Sequence, residues 1–524
     1  MAVSNFKKGI IVATTISAAI MELIDTSIVN VALTQISGNL GATVEDTSWV
    51  ITAYAIANVI IIPLTGFLAK YFGRKNYYIA SIIIFTIASF FCSNADSLWV
   101  LVFWRFIQGI GGGALLSTSQ SILFDTFSLE QRAMASGIFG MGIVLGPTLG
   151  PTLGGIIVEY YTWPLIFDIN IPFGIVAVLL AYNFIDKKPE EYLIDKKSID
   201  IDFMGIIFLV MGIGSLQYVL ERGEHEDWFD SKTIILLTAT ATIGLVGFIY
   251  RQLTIATPII NLKVLKSRNL VASNILTFVC GFGLFGSVFI FPVMVQRIMG
   301  YSPTEAGFAI VPGALIAILI MPIIGKRMGS GTPPIVFVVI GFISFILHGY
   351  LSSLANPDAG RAWFIVPQIF RGIGTACLTV PLINQAAVGL APKDLAYGIS
   401  LTNMLRQLGG AFGIAVMNTY IAQRYMLHRT DLLSNMLPDD PQLIERFNLI
   451  QQGVVSRGVN EYASTETTQK LLDLTVTKQA YLQAYLDGFI LISLFFIATV
   501  PFLFLLQTKK TDAATRAKVA AEAH

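Results

Sequence analysis

Gly142-Ile-Val-Leu-Gly146-Pro147-Thr-Leu-Gly150-Pro151-Thr-Leu-Gly154-Gly155 lies inside an apolar run long enough to cross a bilayer. Glycines at every fourth position fall on one face of a helix and let a second helix backbone approach closely. Pro151 removes a backbone donor and is expected to bend the helix, a defect that membrane helices tolerate because neighbours re-satisfy the freed group. A single G-x-x-x-G would signify only a helix contact. Here three glycines at that spacing lead into Gly-Pro-x-x-Gly-Gly, a much rarer pattern.

The surrounding composition agrees with a membrane protein. The chain of 524 residues is 54% hydrophobic and 13% charged, with a mean hydropathy of +0.70. Soluble proteins carry about 25% charged residues. The net charge of +1 offers no basic field for nucleic acid. Cys92, Cys280 and Cys377 lie singly in apolar segments, so neither a disulfide framework nor a metal site is indicated. The apolar run after Lys7 and Lys8 continues to about Leu33, beyond the roughly 7–15 residues of a signal-peptide core. It also contains Glu22 and Asp25, so a retained first span is expected.

Segments of about 20 apolar residues fall near 10–33, 48–69, 77–95, 98–118, 134–157, 164–185, 203–220, 232–250, 270–291, 304–325, 333–353, 362–382, 396–420 and 485–507. Fourteen spans put both termini on one side. Lys and Arg number 21 on the tails and loops of that side, against Arg222, Lys232, Arg297 and Arg361 on the six short loops opposite. By the positive-inside rule both termini are cytoplasmic; the outer loop 421–484 is long enough to be exempt.

A weak repeat relates the two ends of the chain. Arg105-Phe-Ile-Gln108-Gly109-Ile-Gly111 in span 4 matches Gln368-Ile-Phe-Arg371-Gly372-Ile-Gly374 in span 12, with Arg and Gln exchanged. The reading is an all-α membrane protein: one six-helix half over 1–200, two inserted helices over 201–260, a second half over 261–511 that includes the outer loop, and a tail over 512–524. Two related halves around a midplane site is a common transporter plan.

Few residues can carry chemistry in such a chain. Glu22 and Asp25 lie near the middle of span 1 and share a face, about 4.5 Å apart along the axis. Two carboxylates that close in a poorly hydrated cavity cannot easily both ionise, which suits a proton carrier and makes them titrate as a unit. Arg105, in the membrane, needs a partner or a polar interior; the bland alternative is an arginine snorkelling to the outer interface. Arg371 and Arg406 are membrane-embedded cations of the second half without an acid deep in a span beside them, where an anion or a helix end could serve as partner. Asn30, Gln108 and Asn403 are further polar candidates for a cavity lining. The basic loop Gly66-Phe-Leu-Ala-Lys70-Tyr-Phe-Gly73-Arg74-Lys75 joins spans 2 and 3.

Several of these stretches resemble signatures of the major facilitator superfamily. Gly142, Gly146, Gly150, Pro151, Gly154 and Gly155 are similar to the antiporter motif of the fifth helix of its drug exporters, G-x3-G-x3-G-P-x2-G-G, at every fixed position. The loop from Gly66 to Lys75 resembles the signature G-x-L-a-D-r-x-G-r-k. Lys70 stands where the family has aspartate, so Asp125 is expected to pair with Arg74 or Lys70 instead. Arg105 matches the fourth-helix arginine implicated in proton coupling. Leu23-Ile-Asp25-Thr26-Ser-Ile-Val-Asn30-Val-Ala-Leu33 resembles the first-helix signature of the 14-span drug:proton antiporters, with the family's aspartate at Asp25. Fragments at Trp163–Gly174, Gly300–Gly307 and Asn403–Gly410 fit the same group.

The resemblance covers nearly the whole chain and is nearest to the EmrB/QacA type, inner-membrane pumps that work with a periplasmic adaptor and an outer-membrane channel. It implies a bacterial inner-membrane exporter that exchanges protons for small amphipathic drugs, powered by the proton motive force without a cofactor. Loop 421–484, with helix-compatible text from Pro441 to Gln483, is a candidate adaptor contact. The alternatives are a dedicated proton-coupled transporter of one metabolite or fatty-acid-like substrate, and a scaffold acting through that loop. A membrane-embedded enzyme would need a nucleophile, base or metal constellation that the sequence does not display.

Overall fold

The computed structural model describes residues 5–128, 131–187, 201–255, 257–388, 390, 394–437 and 439–506. The tail expected over 512–524 lies outside them. In lipid, backbone groups find no water, so a chain this apolar satisfies them within helices. Among the described residues there is no strand.

The long helices are α1 (Asn5–Leu40), α2 (Trp49–Phe72), α3 (Arg74–Ser93), α4 (Leu98–Thr126), α5 (Arg132–Tyr160) and α6 (Asn170–Phe184). They continue with α7 (Phe203–Arg222) and α8 (Lys232–Thr254). The last six are α9 (Arg268–Arg297), α10 (Pro303–Gly329), α11 (Pro334–Ser352), α12 (Ile365–Ala387), α13 (Leu395–Ser434) and α14 (Glu461–Thr499). Among the described residues thirteen helices are long and apolar enough to cross a membrane. The expected span in α13 is not one of them, because Thr402, Asn403, Arg406 and Gln407 interrupt its apolar run. Its place rests on packing against α2, α9 and α14. Large apolar side chains such as Leu236, Val246, Leu319 and Leu494 stand more than half exposed on the outside of the bundle, as lipid-facing residues do.

The repeat read in the sequence recurs in three dimensions. In α4, Gly109 packs on the backbone of α2 at Tyr54, and Gly111 on α3 at Ser81 and Phe85. In α12, 263 positions on, Gly372 packs on Gly313 of α10, and Gly374 on Phe345 of α11. Likewise Gly146 of α5 sits on Leu23 of α1, and Gly409 of α13 on Phe278 of α9.

The halves meet along two seams, α5 against α10 and α2 against α13. The first is closed from end to end: Gly137 rests on Met321 and Gly325 on Ala133 at one end, Gly155 on Thr304 and Gly307 on Thr152 at the other. Helices α7 and α8 touch at Gly212 and Gly244, and α7 lies over the second seam, in contact with both α2 and α13. Their connecting turn reaches both halves. Arg222 donates to Ser48 Oγ beside α2, and Trp228 Nε1 donates to Thr419 Oγ1 of α13 at 2.9 Å. Asp227 and Trp228 there have φ of 51° and 50°, a left-handed conformation costly for side chains other than glycine.

The two ends of the bundle differ. At the end that carries Lys7, Arg74 and Arg132, apolar clusters join the halves: Leu123, Phe124 and Phe139 pack with Ile383, Leu395 and Ile399, and Phe67 with Tyr397. Toward the other end, the clusters around Ile28, Leu101 and Phe167 and around Phe291 and Phe364 each stay within one half.

Segment 421–484 is not a loop. The last turns of α13 and the first of α14 run on beyond the expected spans, and a helix Pro441–Ser456 packs on α14. Arg424 and His428 both bond Asp487 Oδ2, at 2.5 and 2.7 Å. Tyr425 stacks on Tyr481 with centroids 3.9 Å apart. The stretch lacks a long apolar run, and its mixed spacing conceals the helices.

Candidate functional site

Polar side chains in the membrane core concentrate where α1, α2, α4 and α6 meet. Asp25 is 0% and Arg105 1% exposed, and Arg105 Nη1 lies 2.5 Å from Asp25 Oδ2. Arg105 therefore does not snorkel to an interface. Its Nε donates to the Val50 carbonyl at 3.1 Å and its Nη1 also to Gln108 Oε1 at 2.7 Å. Gln108 Nε2 and Asn170 Nδ2 each donate to Asp25 Oδ1 at 2.9 Å, and Gln108 also to Ser89 Oγ at 2.8 Å. The guanidinium stacks over the Tyr54 ring, 4.1 Å from its centroid, with Phe167 at 5.6 Å. A buried ion pair persists only when its remaining lone pairs and protons are satisfied, as they are here; removing one partner costs about 3–5 kcal/mol.

Glu22 shares the α1 face but not these partners. It is 6% exposed; its Oε1 accepts from Asn58 Nδ2 at 3.0 Å, and its buried Oε2 has no hydrogen bond among the described residues. Arg406 of α13 is a cation whose charge acts on it from the other half. The two carboxylates are adjacent yet differently held, Asp25 by a guanidinium and Glu22 by an amide.

The second half carries a changed copy. Asp25 lies two residues after Leu23, and the residue two after Phe278, its packing counterpart, is Cys280. Gln368 and Arg371 replace Arg105 and Gln108. Arg371 is buried with one long bond to the Ile310 carbonyl at 3.4 Å, and its Nε and Gln368 Oε1 have no partner among the described residues. Arg406, 6% exposed, makes no hydrogen bond or ion pair among the described residues. Asn403 crosses between halves, donating to Ser117 Oγ and Gln120 Oε1 of α4, both at 3.1 Å. Asn30 stands apart from both groups, exposed and bonded back to Ser27 O at 3.5 Å.

The glycine run works as a helix-packing face. Side chains on Gly146 or Gly150 would overlap Leu23 and Ser27, while Gly142 meets Ile16 and Ile20, and Gly154 meets Ile28. Gly155 turns the other way, to α10. The helix continues through Pro147 and Pro151 without a break; Thr148 and Thr152 hydroxyls bond the carbonyls of Val144 and Thr148. In the basic loop, Gly73 takes φ 82° between α2 and α3, and Arg74 pairs with Asp125. Gly66 faces Tyr397 of the other half, where an added carbon would stand 2.8 Å from the ring.

Sequence reasoning missed Asn58, Tyr54 and Ser89 and left Asn170 as part of a bend fragment. The available signal was Asn58, an amide inside the apolar span 2, where a polar group asks for a partner.

A profile of the Major Facilitator Superfamily matches residues 15–414. The chain is 33% identical over 489 residues to the multidrug export protein EmrB of Escherichia coli K12, covering 93% of this chain and 94% of that one. It is 34% identical over 491 residues to the fatty acid resistance protein FarB of Neisseria gonorrhoeae, again covering 93% and 94%. Among solved structures, the human organic anion transporter MFSD10 superposes with a TM-score of 0.57 at 14% identity, covering 95% of this chain and 99% of that one.

Proposed function

The chain belongs to the major facilitator superfamily, and as a transporter of that family we propose that it exports amphipathic compounds across a bacterial inner membrane in exchange for protons. The observation that carries this reading is the fully buried Asp25–Arg105 pair beside Glu22. Protonating either acid changes the charge balance of a site that water does not screen, and the neighbouring helices must answer it. The Lys/Arg asymmetry favours a cytoplasmic placement of the end where both halves close. The arrangement is then closed inward, and the opposite end, where the apolar clusters each stay within one half, is the side from which external protons would reach α1. Glu22 and Asp25 carry the proton, Arg105 tunes them, and a drug leaves as the proton binds. Aromatic and aliphatic side chains of the central helices provide the bulk of the drug's contact. Relatives named for multidrug export support broad selectivity. The helical arm at 421–484 would meet a periplasmic adaptor, and through it an outer-membrane channel.

A second reading is favoured by Arg371 and Arg406, embedded cations without a carboxylate partner among the described residues: a narrower transporter of acid-bearing amphipaths. The deciding experiment is dye efflux from proteoliposomes under an imposed pH gradient, wild type against Asp25→Asn, with internal pH followed in parallel. Gradient-dependent efflux and proton counterflow, both lost in the variant, support antiport through Asp25. Normal exchange by the variant moves the carrier to Glu22. Transport of carboxylic amphipaths but no cationic dye would favour the second reading.

A further inference from the structure

Tyr54 stands between the two carboxylates. It is 2% exposed, one turn from Asn58 on α2, and the pair faces Glu22 and Asp25, themselves one turn apart on α1. The phenol ring covers the Arg105 guanidinium that holds Asp25, at 4.1 Å. The other end of the ring points to Glu22: Asn58 Nδ2 donates both to Glu22 Oε1 at 3.0 Å and to Tyr54 Oη at 3.4 Å.

The glycines of α4 serve this placement. A side-chain carbon on Gly109 would stand 2.6 Å from Tyr54 O, and one on Gly113 2.6 Å from Asn58 O. One on Gly112 would overlap the Tyr54 hydroxyl and come within 3.4 Å of Glu22 Cγ. Three absent side chains thus bring α2 in and leave room for a hydroxyl beside the acid.

We infer that Tyr54, positioned by Asn58, couples Glu22 to the Asp25–Arg105 pair, so that the two acids exchange protons as one unit. The inference rests on the proton-coupling reading above. Glu22 Oε2 is buried without a partner among the described residues, so a change in its protonation redistributes the Asn58 and Tyr54 hydrogen bonds. Any shift of the phenol is felt by the guanidinium against its face, and so by Asp25. The coupling is reciprocal, as linkage requires. The charged and titratable groups around the bridge are Glu22 and Asp25 on α1, Arg105 on α4, Arg406 on α13 and Cys92 on α3.

The test is a double-mutant cycle read as a pH profile. Full-length protein in nanodiscs is titrated with ethidium, and proton release per dye bound is followed from pH 5 to 9 in wild type, Glu22→Gln, Tyr54→Phe and the double variant. Tyr54→Phe keeps the ring over Arg105 and removes only the hydroxyl. Glu22→Gln is expected to move the midpoint of the remaining release by about half a pH unit or more, about threefold in affinity, in the wild-type background. In the Tyr54→Phe background that shift falls to less than about a third of its size. Equal shifts in both backgrounds overturn the coupling. Should Tyr54→Phe melt early, Asn58→Ser breaks the bridge at its other end, and the same two outcomes apply. If Glu22→Gln/Asp25→Asn releases protons as wild type does, the proton-coupling reading itself fails, whatever Tyr54 does.

Discussion

Asp25 takes hydrogen bonds from Arg105, Gln108 and Asn170, three side chains on two other helices. Arg105→Ala strands that carboxylate, and a loss of about 3–5 kcal/mol of stability is expected. Asp25→Asn/Arg105→Gln removes both charges and is expected to cost less than the two single changes together. Melting of the purified proteins in one detergent checks this, and strictly additive losses would refute the pair. Asp25 and Arg105 were legible because charge in an apolar run is costly and therefore conspicuous, and Gln108 through the repeated motif that it shares with Arg105. Asn170 was not, since a neutral amide 145 residues away announces no partner. The different surroundings of Glu22 and Asp25 were likewise hidden: helical spacing gives their shared face but not what the opposing helices bring to it.

Gly150 and Gly142 belong to one periodic face yet are unequal as parts of α5. A methyl at Gly150 runs into Ser27, close to the α1 backbone, whereas one at Gly142 meets the ends of Ile16 and Ile20 at 3.2 and 3.3 Å. Gly150→Ala should therefore destabilise by about 1–3 kcal/mol and slow transport, with Gly142→Ala clearly milder; equal melting shifts would argue that the face does not pack on α1. The junction of α4 and α13 offers a separate check. Asn403→Ala removes the donor to Ser117 and Gln120 and should loosen the closed end. Labelling of Ile399→Cys by an impermeant maleimide from the cytoplasmic side is expected to rise several-fold, each lost buried hydrogen bond being worth about 1–3 kcal/mol. Spans were readable from hydropathy, except in two places. In α13 Thr402, Asn403, Arg406 and Gln407 dilute the apolar signal, and over 421–484 mixed spacing conceals the helices.

The molecule joins two related halves, an inserted helix pair and a projecting arm, and these parts should separate in function. Replacing Pro441–Ser456 by a short Gly/Ser linker is expected to leave proton-driven dye exchange in proteoliposomes within about twofold, while cellular resistance falls; loss of exchange in liposomes would place the arm in the transport cycle itself. The pseudo-repeat was visible in one pair of motifs, but the seams were not, because they join residues with no common periodicity. Those seams have unequal neighbours. A greasy compound dissolved in the bilayer can approach the interior sideways only where the halves adjoin. The α2/α13 boundary lies under α7, leaving α5/α10, packed shut along its length here, as the boundary that would part for a lateral approach from lipid. Recruitment from the membrane would then be one-sided, and bulk added at Leu319 or Phe308 of α10 is expected to hinder lipophilic cargo more than water-soluble cargo.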